Sequence, residues 1–264
     1  MDLTTIIGIV AGLAALVGGY VWDGGQLSSL FVPSALLIVI GGTLGAVAVS
    51  FPWSHLKGIG GALRTAFRSS LQDPRRHIDE MMEMAALARR EGVLSLEARA
   101  QQHPDPFLRE GLTMVVDGTD PALTKQILEL EMDAIEQQYD NRARLFESAG
   151  GFAPTMGIIG TVMGLIHVLG NLTDPGMLGP AIAVAFTATL YGVSTANLIY
   201  LPLATKIKVR GQEVIAEKEL QLEGILALQA GENPYLIKKK MLTFLLKDQP
   251  GPAAEEEDAD GTPA

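Results

Sequence analysis

The chain of 264 residues has no cysteine, which excludes disulfide bonds, thiolate metal sites and cysteine nucleophiles. Charge is also scarce, because Asp, Glu, Lys and Arg make up only 19% of the residues while hydrophobic residues make up 48%. This balance argues against an ordinary soluble domain. The first apolar stretch lacks a preceding basic segment, so we predict that it remains in the membrane and is not removed as a signal peptide.

Acidic and basic residues are missing altogether from four long apolar stretches, at residues 3–21, 33–51, 154–172 and 178–203. A helix needs about 20 mostly apolar residues to cross the hydrocarbon core of a bilayer. The four stretches therefore predict four transmembrane helices. Nowhere does the sequence show a nucleophile–base pair, a zinc-ligand spacing or a phosphate-binding glycine loop, so we predict neither enzymatic activity nor a bound cofactor.

Basic residues are absent from both short connections between these helices, at 22–32 and 170–177. All 20 of them fall within 57–144 or 206–247. Since Lys and Arg accumulate in cytoplasmic loops, we predict that these two regions and both termini are cytoplasmic. The protein is thus expected to be a multi-pass protein of the inner membrane.

The rest of the chain shows helical periodicity and no strand-rich region. The predicted fold class is an all-α integral membrane protein with a large helical cytoplasmic insert and a cytoplasmic C-terminal helix. An amphipathic helix is expected at 123–146, a direct extension of the fourth span at 206–230 and a short helix at 235–246. The predicted domains are a first hairpin (1–51), a cytoplasmic helical domain (52–151), a second hairpin (152–205), C-terminal helices (206–247) and an acidic disordered tail (248–264).

A few polar side chains lie within the predicted spans. Thr161, Thr187 and Thr189 place hydroxyl groups near mid-bilayer. Such hydroxyls either bond to a carbonyl one turn earlier or line a path where an ion or water is coordinated. His167, near the outer end of the third span, is either a proton relay or a structural residue.

Glycine, alanine and proline suggest how the spans pack and end. Small residues four apart, such as Gly157 with Thr161 and Gly160 with Gly164, predict close helix contacts. Pro154 and Pro202 lie at the cytoplasmic ends of the third and fourth spans, where they mark helix ends, kinks or hinges.

Carboxylates are the groups that usually bind and release a cation inside a bilayer, and the four spans contain none. If the protein conducts ions, the titrating group has to come from another chain.

Five sequence blocks occur together in this order on the four-span topology, at residues 38–43, 88–97, 111–118, 153–164 and 188–204. The second reads Ala-Arg-Arg-Glu-Gly-Val-Leu-Ser-Leu-Glu, and the fourth contains Gly-Thr-Val-Met-Gly. With these blocks the chain resembles the MotA/PomA/MotP family of flagellar stator subunits, which are relatives of TolQ and ExbB.

The resemblance implies a partner of the MotB type, whose single transmembrane helix brings the missing aspartate. It also implies a ring of five copies of this subunit around two partner chains. Translocated H⁺ or Na⁺ would then turn the ring, and the insert would push on the rotor protein FliG. No nucleic acid is expected as a partner.

Charged positions of the insert are carried over from the family's torque-generating residues. By this resemblance, Arg89 or Arg90 and Glu97 form the rotor interface. Without it, they would be interpreted as a solvated amphipathic face. The acidic cluster of Glu129, Glu131 and Asp133 is assigned to the same cytoplasmic surface.

Membrane positions are carried over in the same way. By the resemblance, Thr161 and Thr189 line the ion path beside the partner's aspartate, and Thr187 is assigned to the path by its mid-bilayer position. Pro154 and Pro202 match the family's functional prolines and are assigned to conformational coupling. A hydroxyl at Thr161 favours sodium, because it adds an oxygen ligand, although proton-driven TolQ and ExbB relatives also have threonine there.

Two alternatives to a flagellar stator remain at this stage. One is an energiser of the ExbB/TolQ type or another rotary motor subunit, which would have a partner without a peptidoglycan-binding domain. The other is a membrane scaffold that does not conduct ions.

Overall fold

Helices account for nearly all of the structure, a computed structural model that describes residues 3–67, 74–170, 172 and 175–247. No strand occurs among these residues, which confirms the all-α class. The acidic tail predicted at 248–264 lies outside them. The helices are α1 (Leu3–Trp22), α2 (Pro33–Leu36), α3 (Gly42–Ser50), α4 (Trp53–Leu56), α5 (Ile59–Phe67), α6 (Pro74–Glu91), α7 (Glu97–Gln102), α8 (Pro106–Val116), α9 (Pro121–Gly170), α10 (Pro175–Thr195), α11 (Leu201–Gln229) and α12 (Pro234–Lys247).

Four described helical segments are long and apolar enough to cross a membrane: Leu3–Trp22, Leu27–Ser50, Pro121–Gly170 and Leu178–Gln229. They confirm the four predicted spans. The last two are much longer than the membrane requires. The predicted extension of the fourth span is confirmed, because α11 continues to Gln229.

The helix that contains the third span begins earlier than predicted, at Pro121 and not at Pro154. The amphipathic stretch at 123–146 and the span belong to one helix of 50 residues, α9. Pro154 lies inside this helix, so the interpretation of Pro154 as a helix end is wrong. The amphipathic and fully apolar halves have different periodicities, and this change concealed their continuity in the sequence.

The chain divides into two compact units. The first comprises Met1–Ser70 and Ile135–Gln212, and the second comprises Leu71–Ala134 and Glu213–Ala264. Two of the three boundaries, 134/135 and 212/213, fall within the long helices α9 and α11.

The first unit is packed around small side chains. One buried cluster joins Ala35 and Val39 to Ala188 of α10. A second joins α3, α5, α9 and α11 through Val47, Ala62, Ala66, Ala143, Leu145, Phe146, Ala149, Leu203, Ala204 and Ile207. Small side chains allow these helices to approach closely, which is the main source of helix association in lipid.

The second unit has the larger hydrophobic core. Helices α6, α8 and α12 pack there with the described parts of α9 and α11 that belong to this unit. Its fully buried side chains include Met81, Phe107, Leu128, Ile225 and Met241. Burying a side chain of this size stabilises a fold by about 1.5–3 kcal/mol.

Candidate ion-pathway site and charged surface

Glycines bring α9 and α10 into backbone contact. A Cβ atom added at Gly192 of α10 would lie 2.5 Å from the carbonyl oxygen of Ala153 and 3.1 Å from Cα of Gly157. A Cβ at Gly157 of α9 would lie 3.0 Å from the carbonyl oxygen of Ala188. The distance at Gly192 leaves no room for a side chain, and a Cβ atom at Gly157 would be tight against the backbone of α10.

This close contact brings the hydroxyl groups of Thr161 on α9 and Thr189 on α10 into a hydrogen bond. Thr161 Oγ1 is also 2.9 Å from the carbonyl oxygen of Ala185 on α10 and 3.1 Å from that of Gly157 one turn earlier. The back-bonding interpretation therefore holds for Thr161, which also bonds across to the next helix. The ion path stays a prediction.

The chemistry of this site, which we call the threonine pair, follows from its oxygen atoms. Each hydroxyl has one proton to donate and two lone pairs to offer. If Thr189 donates to Thr161 and Thr161 donates to a carbonyl, both hydroxyl oxygens still have lone pairs for a cation or a water molecule. Both residues are partly exposed.

Thr187 and His167 are not part of the threonine pair. Thr187 lies two residues before Thr189, and residues two apart do not share a helix face. Its side chain is buried, with 7% exposed. His167 lies near the end of α9 with an exposed side chain.

Pro154 and Pro202 lie close to the same helix contact. The residue one turn before Pro154 is Gly150, and a Cβ added there would lie 2.5 Å from Cδ2 of Leu201, the neighbour of Pro202. Because proline has no N–H group, the carbonyl one turn earlier loses its helical partner. Both prolines thus lie within one helical turn of the contact between Gly150 of α9 and Leu201 of α11.

Two π-helical turns were not predicted from the sequence. They occupy Leu37–Gly41 in the second span and Ala196–Tyr200 immediately before α11. π turns occur mostly as single insertions in α-helices and often at functional sites. Pro202 lies two residues after the second π turn, so the proline was the signal in the sequence for an irregular turn there.

A tyrosine bridge was also missed. The hydroxyl of Tyr191, next to Gly192, donates to the carbonyl of Leu30 and accepts from the N–H of Val32 at 3.2 Å. The bridge satisfies backbone groups where the chain enters the second span. Its sequence separation of about 160 residues gives no local signal.

The predicted rotor-interface charges lie on the surface of the second unit. Arg89 and Arg90 lie in the last turn of α6, and Glu97 begins α7; all three side chains are exposed. Between them, Gly92 adopts φ +85°, a left-handed conformation that favours glycine, and a 3₁₀ turn follows at Val93–Leu96. A tight, ordered turn therefore separates the arginines from the glutamate.

These charges have weak partners within the subunit. Arg90 lies 4.0 Å from Glu91, with both side chains more than half exposed, and Gln101 donates to Glu97 at 3.2 Å. Exposed ion pairs contribute about 0–1 kcal/mol. The charges are therefore available to an external surface.

The acidic cluster on α9 is not uniform. Glu129 forms an exposed pair with Lys125 at 3.6 Å. Burial, with the nearby charge of Glu110, raises the pKa of the Glu131 carboxyl above its usual value of 4.5. Ionised Glu131 is thus less favourable in the folded unit than in the unfolded chain.

Glu131→Gln is expected to raise the melting temperature of the purified protein at neutral pH. A raised pKa in the folded state means that ionisation destabilises the fold above the ordinary pKa, and glutamine removes that charge. The gain should vanish below pH 4.5, where Glu131 is protonated in both states. Glu129→Gln is the matched control, and an equal gain in that variant would contradict the assignment to burial. The measurement is thermal unfolding in detergent across this pH range.

Comparisons with known proteins identify the family. Residues 99–220 match the model of the MotA/TolQ/ExbB proton channel family, and residues 6–92 match the motility protein A N-terminal model. Motility protein A of Bacillus subtilis is 38% identical over 246 residues, which cover 93% of this chain and 91% of the relative.

Solved structures agree with this assignment. The C. jejuni MotAB structure superposes with a TM-score of 0.88 and 30% identity, covering 95% of this chain and 98% of the matched chain. The flagellar MotAB stator complex from Bacillus subtilis gives a TM-score of 0.87 and 38% identity, with coverages of 94% and 98%. These matches favour a stator subunit over an outer-membrane energiser. The chain therefore belongs to the MotA/TolQ/ExbB proton channel family, as a MotA-type subunit of a flagellar stator.

Proposed function

We propose that this subunit, with a MotB-type partner, forms an ion channel in which ions pass beside the threonine pair. The supporting observation is that Thr161 and Thr189 present uncharged oxygen atoms on spans that contain no Asp, Glu, Lys or Arg. These neutral oxygen atoms can replace part of the hydration shell of a hard cation, but they do not balance its positive charge. The negative charge comes from a carboxylate on the single membrane helix of the partner.

The proposed assembly follows from the family and from the charge distribution. Five copies surround two partner chains in the bacterial inner membrane, with both termini in the cytoplasm, as the one-sided basic charge indicates. Residues 52–151 then face the rotor, and Arg89, Arg90 and Glu97 meet charges on FliG. Ion flow past the threonine pair turns the ring and drives swimming.

Sodium is the ion that the threonine pair favours, and the proton is the alternative. A hydroxyl at Thr161 adds one oxygen ligand, which a sodium ion uses directly. A proton would instead move along hydrogen-bonded water and hydroxyl groups to the partner's carboxylate. The two ions therefore predict different responses to external sodium.

Thr161→Ala is expected to slow swimming and to shift its dependence on external sodium to higher concentrations. A hydrogen bond or ligand contact to a charged group contributes about 1.5–3 kcal/mol, which is roughly ten- to hundredfold in ion affinity. The measurement is swimming speed against external sodium in a stator-deleted host that carries this gene and its partner. Thr161→Ser retains the hydroxyl and should stay close to the parent protein.

Thr195→Ala is the matched control, because the described hydrogen bonds of Thr195 stay within its own helix. Its sodium dependence should be that of the parent protein. Speed that is independent of sodium but abolished by a protonophore would identify the proton as the coupling ion. If Thr161→Ala and Thr189→Ala both swim like the parent at every sodium concentration, the proposed ion path is wrong and a non-conducting scaffold is favoured.

A further inference from the structure

A single buried carboxylate, Asp105, organises the connection between α7 and α8 in the second unit. Its Oδ1 atom accepts from the N–H of Phe107 at 3.1 Å and thereby caps the start of α8. Lys218 on α11 donates to both carboxylate oxygens, at 2.9 and 2.7 Å. Gln221, one turn further along α11, donates to Oδ2 at 2.9 Å. Four hydrogen bonds thus converge on one side chain.

The partners on α11 are themselves held in place. Gln221 is fully buried and accepts from Lys218 at 3.1 Å. The Lys218 ammonium also lies 5.1 Å from the centre of the Phe107 ring, within the range of a cation–π contact. Asp105, Lys218 and Gln221 therefore form a closed polar triangle, which we call the lock.

The same connection is held from its other side by α6. His103 Nε2 lies 3.0 Å from a carboxylate oxygen of Glu80, and the N–H of Asp105 approaches His103 Nδ1 at 3.1 Å. The His103 ring thus bridges the Glu80 carboxylate and the backbone of Asp105, whose carbonyl oxygen also lies 3.3 Å from Nδ1. Residues 103–105 are thus fixed between α6 and α11.

The lock is a largely buried ion pair. Lys218 and Asp105 are only 12% and 15% exposed. Burial by itself would raise the pKa of the Asp105 carboxyl, but the hydrogen bonds and charge of Lys218, with Gln221 and the Phe107 N–H, hold it below its usual value. Replacing a buried ion pair by packed apolar residues is often neutral or stabilising, whereas a directional pair fixes orientation. We therefore interpret the lock as a contact that fixes the orientation of α7 and α8 on α11.

The position of the lock relates this geometry to the proposed function. Residues 103–105 directly follow α7, and α7 begins with Glu97 of the rotor interface. Lys218 and Gln221 lie on the helical segment Leu178–Gln229, which also contains Thr189. One continuous helical segment thus contains Thr189 of the threonine pair and both Lys218 and Gln221 of the lock.

We propose that Asp105 and Lys218 are positioning residues for torque, which hold α7 and its Glu97 rigidly on α11 while the rotor resists. This inference rests on the proposed function, because it requires force to pass through Glu97. A flexible α7 would yield before it moved the rotor, and the loss would grow with the opposing load. Ion passage would not depend on the lock.

Lys218→Met tests this proposal in the full complex with its partner, expressed in a stator-deleted host. We expect stall torque per stator unit to fall by at least about twofold, since small displacements of a positioned group reduce its effect strongly. Speed at low load, and ion influx into vesicles that contain the complex, should stay at the parent level. Lys218→Arg retains the charge and should restore stall torque.

Two further variants separate positioning from folding. Asp105→Asn with Lys218→Met removes the pair without leaving an unpaired buried charge, and asparagine still caps α8. The double variant should regain the thermal stability lost in Lys218→Met but keep the low stall torque. Recovery of torque together with stability would overturn the proposal and show a purely structural pair.

Lys240→Met is the matched control, because it also removes a lysine paired with a carboxylate of α11, that of Glu223. It should leave stall torque unchanged, and an equal loss there would also overturn the proposal. Failure of the proposed function would look different, because the parent complex would then show neither ion influx nor torque.

Discussion

Gly192→Val is expected to abolish assembly of the stator subunit in the membrane. The first added carbon alone would lie 2.5 Å from the Ala153 carbonyl oxygen and 3.1 Å from Cα of Gly157, and both are backbone atoms. A flexible side chain could move aside, but the backbone of α9 cannot do so without moving the whole helix. Overpacking of a tight core costs typically about 1–3 kcal/mol, and a valine adds two methyl groups beyond the clashing carbon. Displacement of α9 would also break the hydrogen bond between Thr161 and Thr189.

The measurement is the yield of folded, protease-resistant subunit after mild detergent extraction, together with swimming. Gly8→Val is the control, because a Cβ added at Gly8 of α1 has no neighbour within 4 Å. That variant should be extracted at the parent level. A Gly192→Val protein that is extracted and swims normally would contradict the backbone contact between α9 and α10.

Glu97→Lys is expected to reduce stall torque strongly while the subunit still assembles. The side chain is exposed at the start of α7, and its described partner is the neutral Gln101. If an opposite charge on the rotor faces Glu97, as proposed, reversal would place like charges opposite each other, which costs several kcal/mol at a charged interface. The cost within the subunit is smaller, about 0.3–1 kcal/mol, from a positive charge near a helix start. The variant should therefore lose much of its torque while the stability of the subunit changes little.

Arg89→Glu should act in the same direction from the other side of the turn at Gly92. Lys239→Glu is the control, because it reverses an exposed charge of the second unit, on α12, that has no assigned rotor role. Torque of tethered cells and the amount of membrane-extracted subunit should be measured in parallel. Loss of extracted subunit in Glu97→Lys would show that this charge serves the fold, and unchanged torque would exclude it from the rotor interface.

Much of the fold could be predicted because membranes impose a simple composition rule. Charge-free stretches of sufficient length predicted all four spans, and the extension from Lys206 followed from uninterrupted helical periodicity. The continuity of α9 could not be predicted, because Pro154 normally breaks a helix. In the structure, close packing on both sides of Pro154, at Ala153 before it and Gly157 after it, accompanies the unbroken helix.

The candidate site was predictable in part for a different reason. Mid-bilayer hydroxyls stand out in an apolar span, so Thr161 and Thr189 could be named. That the two side chains meet depends on Gly157 and Gly192, whose effect is visible only when both helices are in place. The lock could not be predicted at all, because Asp105 and Lys218 are 113 residues apart and each resembles an ordinary surface charge in the sequence.

Because the threonine pair is uncharged, it has a consequence for subunits that are inserted into the membrane without their partner. An isolated ion in a low-dielectric interior costs tens of kcal/mol, and two hydroxyl oxygens replace only part of its hydration shell. If the partner supplies the carboxylate, as proposed, a subunit that has not yet met its partner is expected to be an insulator. A cell could then insert such copies ahead of demand without discharging the gradient that powers the rest of its membrane.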